Sequence, residues 1–154
     1  MDDLAPDLPS PPSPRLNAAL VANLRLLEVA GRLRHHWQVT ARQVGLTGAQ
    51  AKLLLGLAAD EAATMRALAQ RLGYDPSNLT TVVDRLERDG FLERSPHASD
   101  RRITEVALTS RGRQVRDQFW TALNAGGPLD PLTSAQLATL EDTLGRVLDA
   151  NKPG

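Results

Sequence analysis

An arginine doublet, Arg101-Arg102, stands in the stretch SPHASDRRITEV, in a chain whose 18 basic and 18 acidic side chains leave no net charge. A solvated loop needs no such doublet, so it points to a negative partner. Upstream, Ser77, Asn78, Thr80, Thr81, Asp84, Arg85 and Arg88 fall on one side of a helical repeat, and Leu79, Val82, Val83 and Leu86 on the other. Ordinary solvated helix faces favour Glu, Lys and Gln. This one starts with short side chains that allow close approach to a surface. Asn can pair with the edge of adenine, Thr can meet a thymine methyl, and Arg85, one turn on, can reach guanine or a phosphate.

Other chemistries find little support. The chain has no cysteine, which removes disulfides, thiolate catalysis and Cys-zinc sites. Ser, His and Asp occur, but no nucleophile elbow, phosphate loop or paired-carboxylate motif gathers them, so an enzyme is not expected. His35 and His36 are neighbours on a helix and point about 100° apart, a poor metal pair. No metal or cofactor is expected. With no global basic field, any nucleic-acid contact has to come from local clusters. Arg supplies 16 of the 18 positive charges, and its planar fork suits phosphate and guanine. No apolar run reaches the roughly 18 residues of a membrane span. The acidic, proline-rich start is no signal peptide, so a cytoplasmic location is the expectation.

The elements that must position these residues follow from periodicity and punctuation. Residues 1–14 hold five prolines and read as a disordered arm. From Leu16 to about Gln43 the pattern is helical. Leu16, Leu20, Leu24 and Leu27 form one apolar stripe and Leu26, Val29, Leu33 and Trp37 another, a surface wider than one packing partner needs. Thr47 with Gln50 forms a capping box for a second helix. Thr64 starts a third, which Gly73 stops. Asp75 caps a fourth with Pro76 in its first turn, and Gly90 ends it. The period then changes to two. FLERS and ITEVAL read as strands joined by the loop PHASDRR. Thr109 opens another helix, broken by Gly126, Gly127 and Pro128. Thr133 and Gln136 box the last. These two helices carry Phe119, Trp120, Leu123, Leu137, Leu140, Leu144, Val147 and Leu148, more apolar positions than one small lobe can bury, so they too are expected at a dimer surface. The predicted order is α-α-α-α-β-β-α-α: mainly helical, with one small hairpin leaning on the helices. The third and fourth helices, separated by Gly73, make a helix-turn-helix whose second member can enter a major groove. The hairpin then lies where a wing reaches the adjacent minor groove, whose field favours arginine. Asp100 can pair back to Arg94 or Arg102 and hold the loop.

At this point the chain resembles the MarR family of winged helix-turn-helix transcription regulators. The resemblance runs over about residues 16–150. It is carried by LTGAQAKLLLGLA, MRALAQRLGYDPSNLTTVVDRLERDGFLER and the wing SDRRITEVALTSRG. It implies a homodimer joined by N- and C-terminal helices, bound as two lobes to a pseudopalindrome in double-stranded DNA. The regions become an arm at 1–14, an N-terminal dimerisation helix at 15–45, a DNA-binding lobe at 46–112 and C-terminal dimerisation helices at 113–150. The wing motif matches Asp100, Arg102, Leu108, Thr109 and Gly112. By that match Arg102, beside Arg101, is the minor-groove arginine, Arg94 and Asp100 brace the wing, and base contacts fall to Ser77, Asn78, Thr80, Thr81 and Arg85. Many members release DNA on binding a small anionic aromatic ligand; here RLRHHWQ would offer His35, His36 and Trp37. The competing reading packs Trp37 into the core and leaves the histidines to solvent. Lack of cysteine excludes the family's peroxide-sensing branch. NAGGPLDPLTS departs from the family by splitting the C-terminal helices with a loose linker. The expectation is a homodimeric repressor. The alternative is a winged-helix module that contacts only proteins.

Overall fold

A computed structural model describes residues 13–150. Its elements run α1 (Pro14–Gln43), α2 (Gly48–Gly56), β1 (Ala63–Thr64), α3 (Met65–Leu72), α4 (Pro76–Arg88), β2 (Leu92–Pro96), β3 (Thr104–Leu108), α5 (Ser110–Leu123) and α6 (Ser134–Ala150). Helix α1 begins earlier than expected. Ser13 Oγ accepts from the Leu16 N–H at 3.3 Å and Pro14 takes the first helical position, where its missing N–H costs nothing. Residue 14 therefore belongs to the helix, and the rest of the expected arm, 1–12, lies outside the described residues. The Thr47–Gln50 box forms in both directions, at 2.8 and 3.2 Å.

Two apolar faces close on each other to build the lobe. Leu53, Leu54 and Leu57 near α2, Leu68 on α3, Leu79, Val83 and Leu86 on α4, and Val106 and Leu108 on β3 are buried in one cluster. The sheet holds a strand that the sequence reading lacks. β1 pairs antiparallel with β3, Ala63 opposite Val106 and Thr64 opposite Glu105, giving the order β1-β3-β2. Two residues are too few to show a period of two. This third strand gives the hairpin an anchor beside α3, since Thr64 is also the α3 N-cap.

Phe119 departs from the dimer surface expected for it with Trp120 and Leu123. It is fully buried in the lobe core, its ring T-shaped to Trp37 with centroids 5.0 Å apart. The reason is α1, whose last turns lie against α5 and claim that side of it. Apolar surface is left over elsewhere. Leu16, Leu20, Leu24 and Leu27 stay exposed, Leu27 by 71%, and α6 buries none of its residues. Among the described residues no helix is long and apolar enough to cross a membrane.

Candidate nucleic-acid interface

Gly73 closes α3 with φ 63° and ψ 36°, the left-handed conformation glycine takes at no steric cost. Two residues later, Asp75 Oδ1 accepts from the Ser77 N–H at 2.9 Å and Pro76 opens α4. The tight turn sets α3 across the inner face of α4. On that face Leu79, Val83 and Leu86 are fully buried. Ser77, Asn78, Thr80, Thr81, Asp84, Arg85 and Arg88 are all exposed on the other.

The threonines have a defined polarity. Thr80 Oγ1 donates to Pro76 O at 2.9 Å and Thr81 Oγ1 to Ser77 O at 3.2 Å. Their protons are engaged by the helix, so each offers a partner a methyl and an acceptor, the pair that suits a thymine methyl and an adenine amino group. Arg85, Arg88, Arg101 and Arg102 make no side-chain hydrogen bond or ion pair among the described residues.

Arg94 behaves differently. From β2 it reaches back to α4, donating to both Asp84 Oδ1 and Glu87 Oε2. The hydrogen bond to Asp84 is the chief cause that lifts its guanidinium above the ordinary value, with burial opposing and the charges of Glu87 and Asp84 adding. The clasp neutralises two carboxylates that would otherwise repel a polyanion. It also ties the hairpin to the helix.

The brace expected between Arg94 and Asp100 does not form, because Arg94 is held by α4. Asp100 works alone at the tip, its Oδ1 accepting from the Arg102 N–H and its carbonyl from the Ile103 N–H, both at 3.0 Å. That Asx turn holds the backbone of Arg102 while its side chain stays exposed.

Sequence reasoning missed His97 and Ser99. His97 Nδ1 lies 3.2 Å from the Ser99 nitrogen and 3.0 Å from its hydroxyl, and Nε2 lies 3.6 Å from Glu105 Oε1. His-x-Ser in a short loop is a signal for such a local cap. Arg66 and Gln70 of α3 were missed too. They line a 460 Å³ groove with Tyr74, Pro76 and Thr80 at the start of α4, and their i, i+4 spacing on the polar side of α3 was the available clue.

His35, His36 and Trp37 are divided between two adjoining cavities that share His36, Gly127 and Pro128. A 370 Å³ cavity is walled by Leu33, His36 and Trp37 of α1, the end of α5 and the linker from Gly127 to Asp130. A second, of 520 Å³, is lined by Arg32, His35 and His36 with Gly126, Gly127 and Pro128. His36 borders both. The polar handles of His36 and Trp37 are already engaged: His36 Nε2 lies 2.9 Å from Leu123 O, and Trp37 Nε1 donates to Gly48 O at 3.0 Å. A carbonyl only accepts, so His36 Nε2 carries the proton. Trp37 also packs on Phe119, as the core reading has it.

A helix-turn-helix bracketed by a three-stranded sheet, whose β2–β3 hairpin projects two arginines with no side-chain partner among the described residues, defines a winged-helix protein. The MarR family model matches residues 46–104. The multiple antibiotic resistance protein MarR of Escherichia coli is 33% identical over 108 residues, 67% of this chain and 74% of its own length. A solved structure of a cysteine-to-serine mutant of that protein, complexed with operator DNA, superposes with a TM-score of 0.72 at 27% identity, covering 86% of this chain and 96% of that one. The HTH-type transcriptional repressor YetL of Bacillus subtilis is 30% identical over 98 residues, 62% of this chain; the match spans only 59% of YetL. The PcaV transcriptional regulator of Streptomyces coelicolor, solved with its natural ligand, gives a TM-score of 0.64 at 28% identity over 80% of this chain and 91% of that one. This chain belongs to the MarR family of transcriptional regulators.

Proposed function

We propose that this protein is a homodimeric, sequence-specific repressor that binds a pseudopalindromic operator and releases it when a small aromatic ligand binds. The observation that carries the reading is the pairing of two exposed surfaces. One is the short-chained face of α4, with Ser77, Asn78, Thr80, Thr81 and Arg85. The other is the wing tip, where Arg101 and Arg102 stand unpaired while Arg94, lower on the same hairpin, is paired twice. E. coli MarR, whose mutant was solved with operator DNA, and YetL, a repressor by name, support the assignment. Selection of bound duplexes from a random-sequence pool tests it. Recovery of a two-fold-related motif is the expected result. A protein-contact module would enrich nothing at any salt concentration.

The exposed leucines of α1 and the apolar positions of α6 favour a dimer through residues 16–30 and 115–150, without Phe119. Light scattering at micromolar concentration should give twice the 16.7 kDa chain mass; a monomer there rules the dimer out.

The two cavities favour an anionic aromatic ligand. One offers His35 to an acid group, beside an Arg32 that is ion-paired with Glu28 at 2.7 Å and would have to exchange that partner, and the other offers Leu33 and Trp37 to a ring. PcaV, solved with its natural ligand, supports a ligand-controlled regulator. Titration with a hydroxybenzoate should quench tryptophan fluorescence and weaken DNA binding. In Trp37→Phe the quenching should vanish, leaving the Trp120 signal flat. Quenching that survives in that variant would move the site away from Trp37.

A further inference from the structure

We infer that Gln50 is a positioning residue for the recognition helix, its side-chain amide holding the start of α2 with the oxygen and the C-terminal end of α4 with the nitrogen. The inference rests on the reading of α4 as the helix that contacts bases. Gln50 is only 8% exposed, one of two polar residues buried among those described. Its Oε1 accepts from the Thr47 N–H at 2.8 Å, and its Nε2 donates to Asp89 Oδ2 at 3.4 Å. The first contact fixes the amide's orientation: a backbone N–H needs the oxygen, so the nitrogen faces the carboxylate.

Both residues are poorly explained by local rules alone. A capping box uses only an acceptor at this position, and glutamate would serve with the added benefit of a negative charge at a helix N-terminus. What glutamine adds is a donor. Asp89 is the C-cap of α4, its N–H bonded to Arg85 O at 2.9 Å, and a carboxylate there opposes the helix dipole. The amide of Gln50 offsets that disadvantage. The core contacts of Leu79, Val83 and Leu86 hold α4 down, but apolar packing is non-directional. The Arg94 clasp on Asp84 and Glu87 is one directional tie on α4, made to the hairpin. The Gln50–Asp89 bond is a second, made to α2 at the end opposite the Gly73 turn, and it limits slide and rotation where the clasp does not reach.

The test compares the wild type with Gln50→Glu, Asp89→Asn, their combination, and Asp89→Ala. The probes are the duplex that the wild type enriches from a random pool and a scrambled version of it. Gln50→Glu keeps the cap acceptor but sets two carboxylates against each other. Its affinity for the enriched duplex should fall about tenfold, with scrambled DNA changed by less than about twofold. The double variant Gln50→Glu/Asp89→Asn reverses donor and acceptor, and should recover most of the affinity; a merely structural glutamine would not be rescued this way. Asp89→Ala carries no buried charge and leaves an exposed site, so it reads the same fall in discrimination even if Gln50→Glu fails to fold. A double variant no better than Gln50→Glu, or Asp89→Ala with discrimination unchanged, overturns the inference alone. A wild type that enriches no duplex overturns the reading of α4, and this inference with it.

Discussion

Gly112→Ala should destabilise the protein by more than about 3 kcal/mol, although it adds one methyl to a helix. Gly112 lies in the first turn of α5, where its N–H donates to the Thr109 cap at 3.0 Å. Thr109 is held on both sides, its own N–H donating to Phe91 O at 3.1 Å and its hydroxyl to Gly90 O at 2.7 Å. A Cβ on Gly112 would sit 1.9 Å from Phe91 O and 2.9 Å from Phe91 C. Both are backbone atoms at the foot of the wing, and neither can rotate away. Helix α5 would have to lift from the sheet, breaking the Thr109 hydrogen bonds and opening the core at Leu108. Denaturant titration at fixed protein concentration measures the effect, since the stability of the proposed dimer would depend on concentration. Gly31→Ala, in α1 outside the proposed dimer segments, is the control. Nothing lies within 4 Å of a Cβ there, so helix propensity should make that change neutral or stabilising by up to about 1 kcal/mol. If Gly112→Ala unfolds at the wild-type midpoint, the packing of α5 on Phe91 is wrong.

Arg102→Ala should weaken binding to every duplex, cognate or scrambled, and reduce the salt slope by about one unit for each phosphate that the guanidinium neutralises. Its side chain is exposed and makes no hydrogen bond or ion pair among the described residues, so the fold should not depend on it. A narrow A·T-rich flank would make part of the effect depend on sequence, because arginine reads groove width there. Asn78→Ala and Arg85→Ala should behave otherwise. Each should cost about 1–3 kcal/mol at the cognate site and less on scrambled DNA, as expected for side chains that read base edges. All three variants should melt with the wild type. Titrations at several salt concentrations separate the classes. Unchanged affinity and slope in Arg102→Ala would reduce the doublet to a charged turn. Equal weakening on both duplexes for Asn78→Ala and Arg85→Ala would make α4 a phosphate clamp rather than a reader.

Most of the helical frame was legible in the chain because helix ends are written within three or four residues. Thr47 with Gln50, Thr64, Asp75 with Pro76, Thr109, and Thr133 with Gln136 all make the capping contacts that their spacing predicts. The division of α4 into a buried and an exposed face was legible for the same reason, as one helical period carries it. What the chain could not disclose were contacts between residues far apart in sequence. Phe119 has the same apolar character as Trp120, and only the passage of α1 beside α5 decides that one is buried and the other open. Strand β1 is too short to leave a pattern and exists because β3 presents an edge to it. Arg94 pairs with Asp84 and Glu87 rather than Asp100 because the hairpin folds back on α4. Gly112 is a motif position in the sequence, but its necessity comes from Phe91, which chain folding brings against it. Local hydrogen bonding and periodicity are set by neighbours along the chain; side-chain partners and tolerance for a single methyl are set by close packing, which exists only once the elements have met.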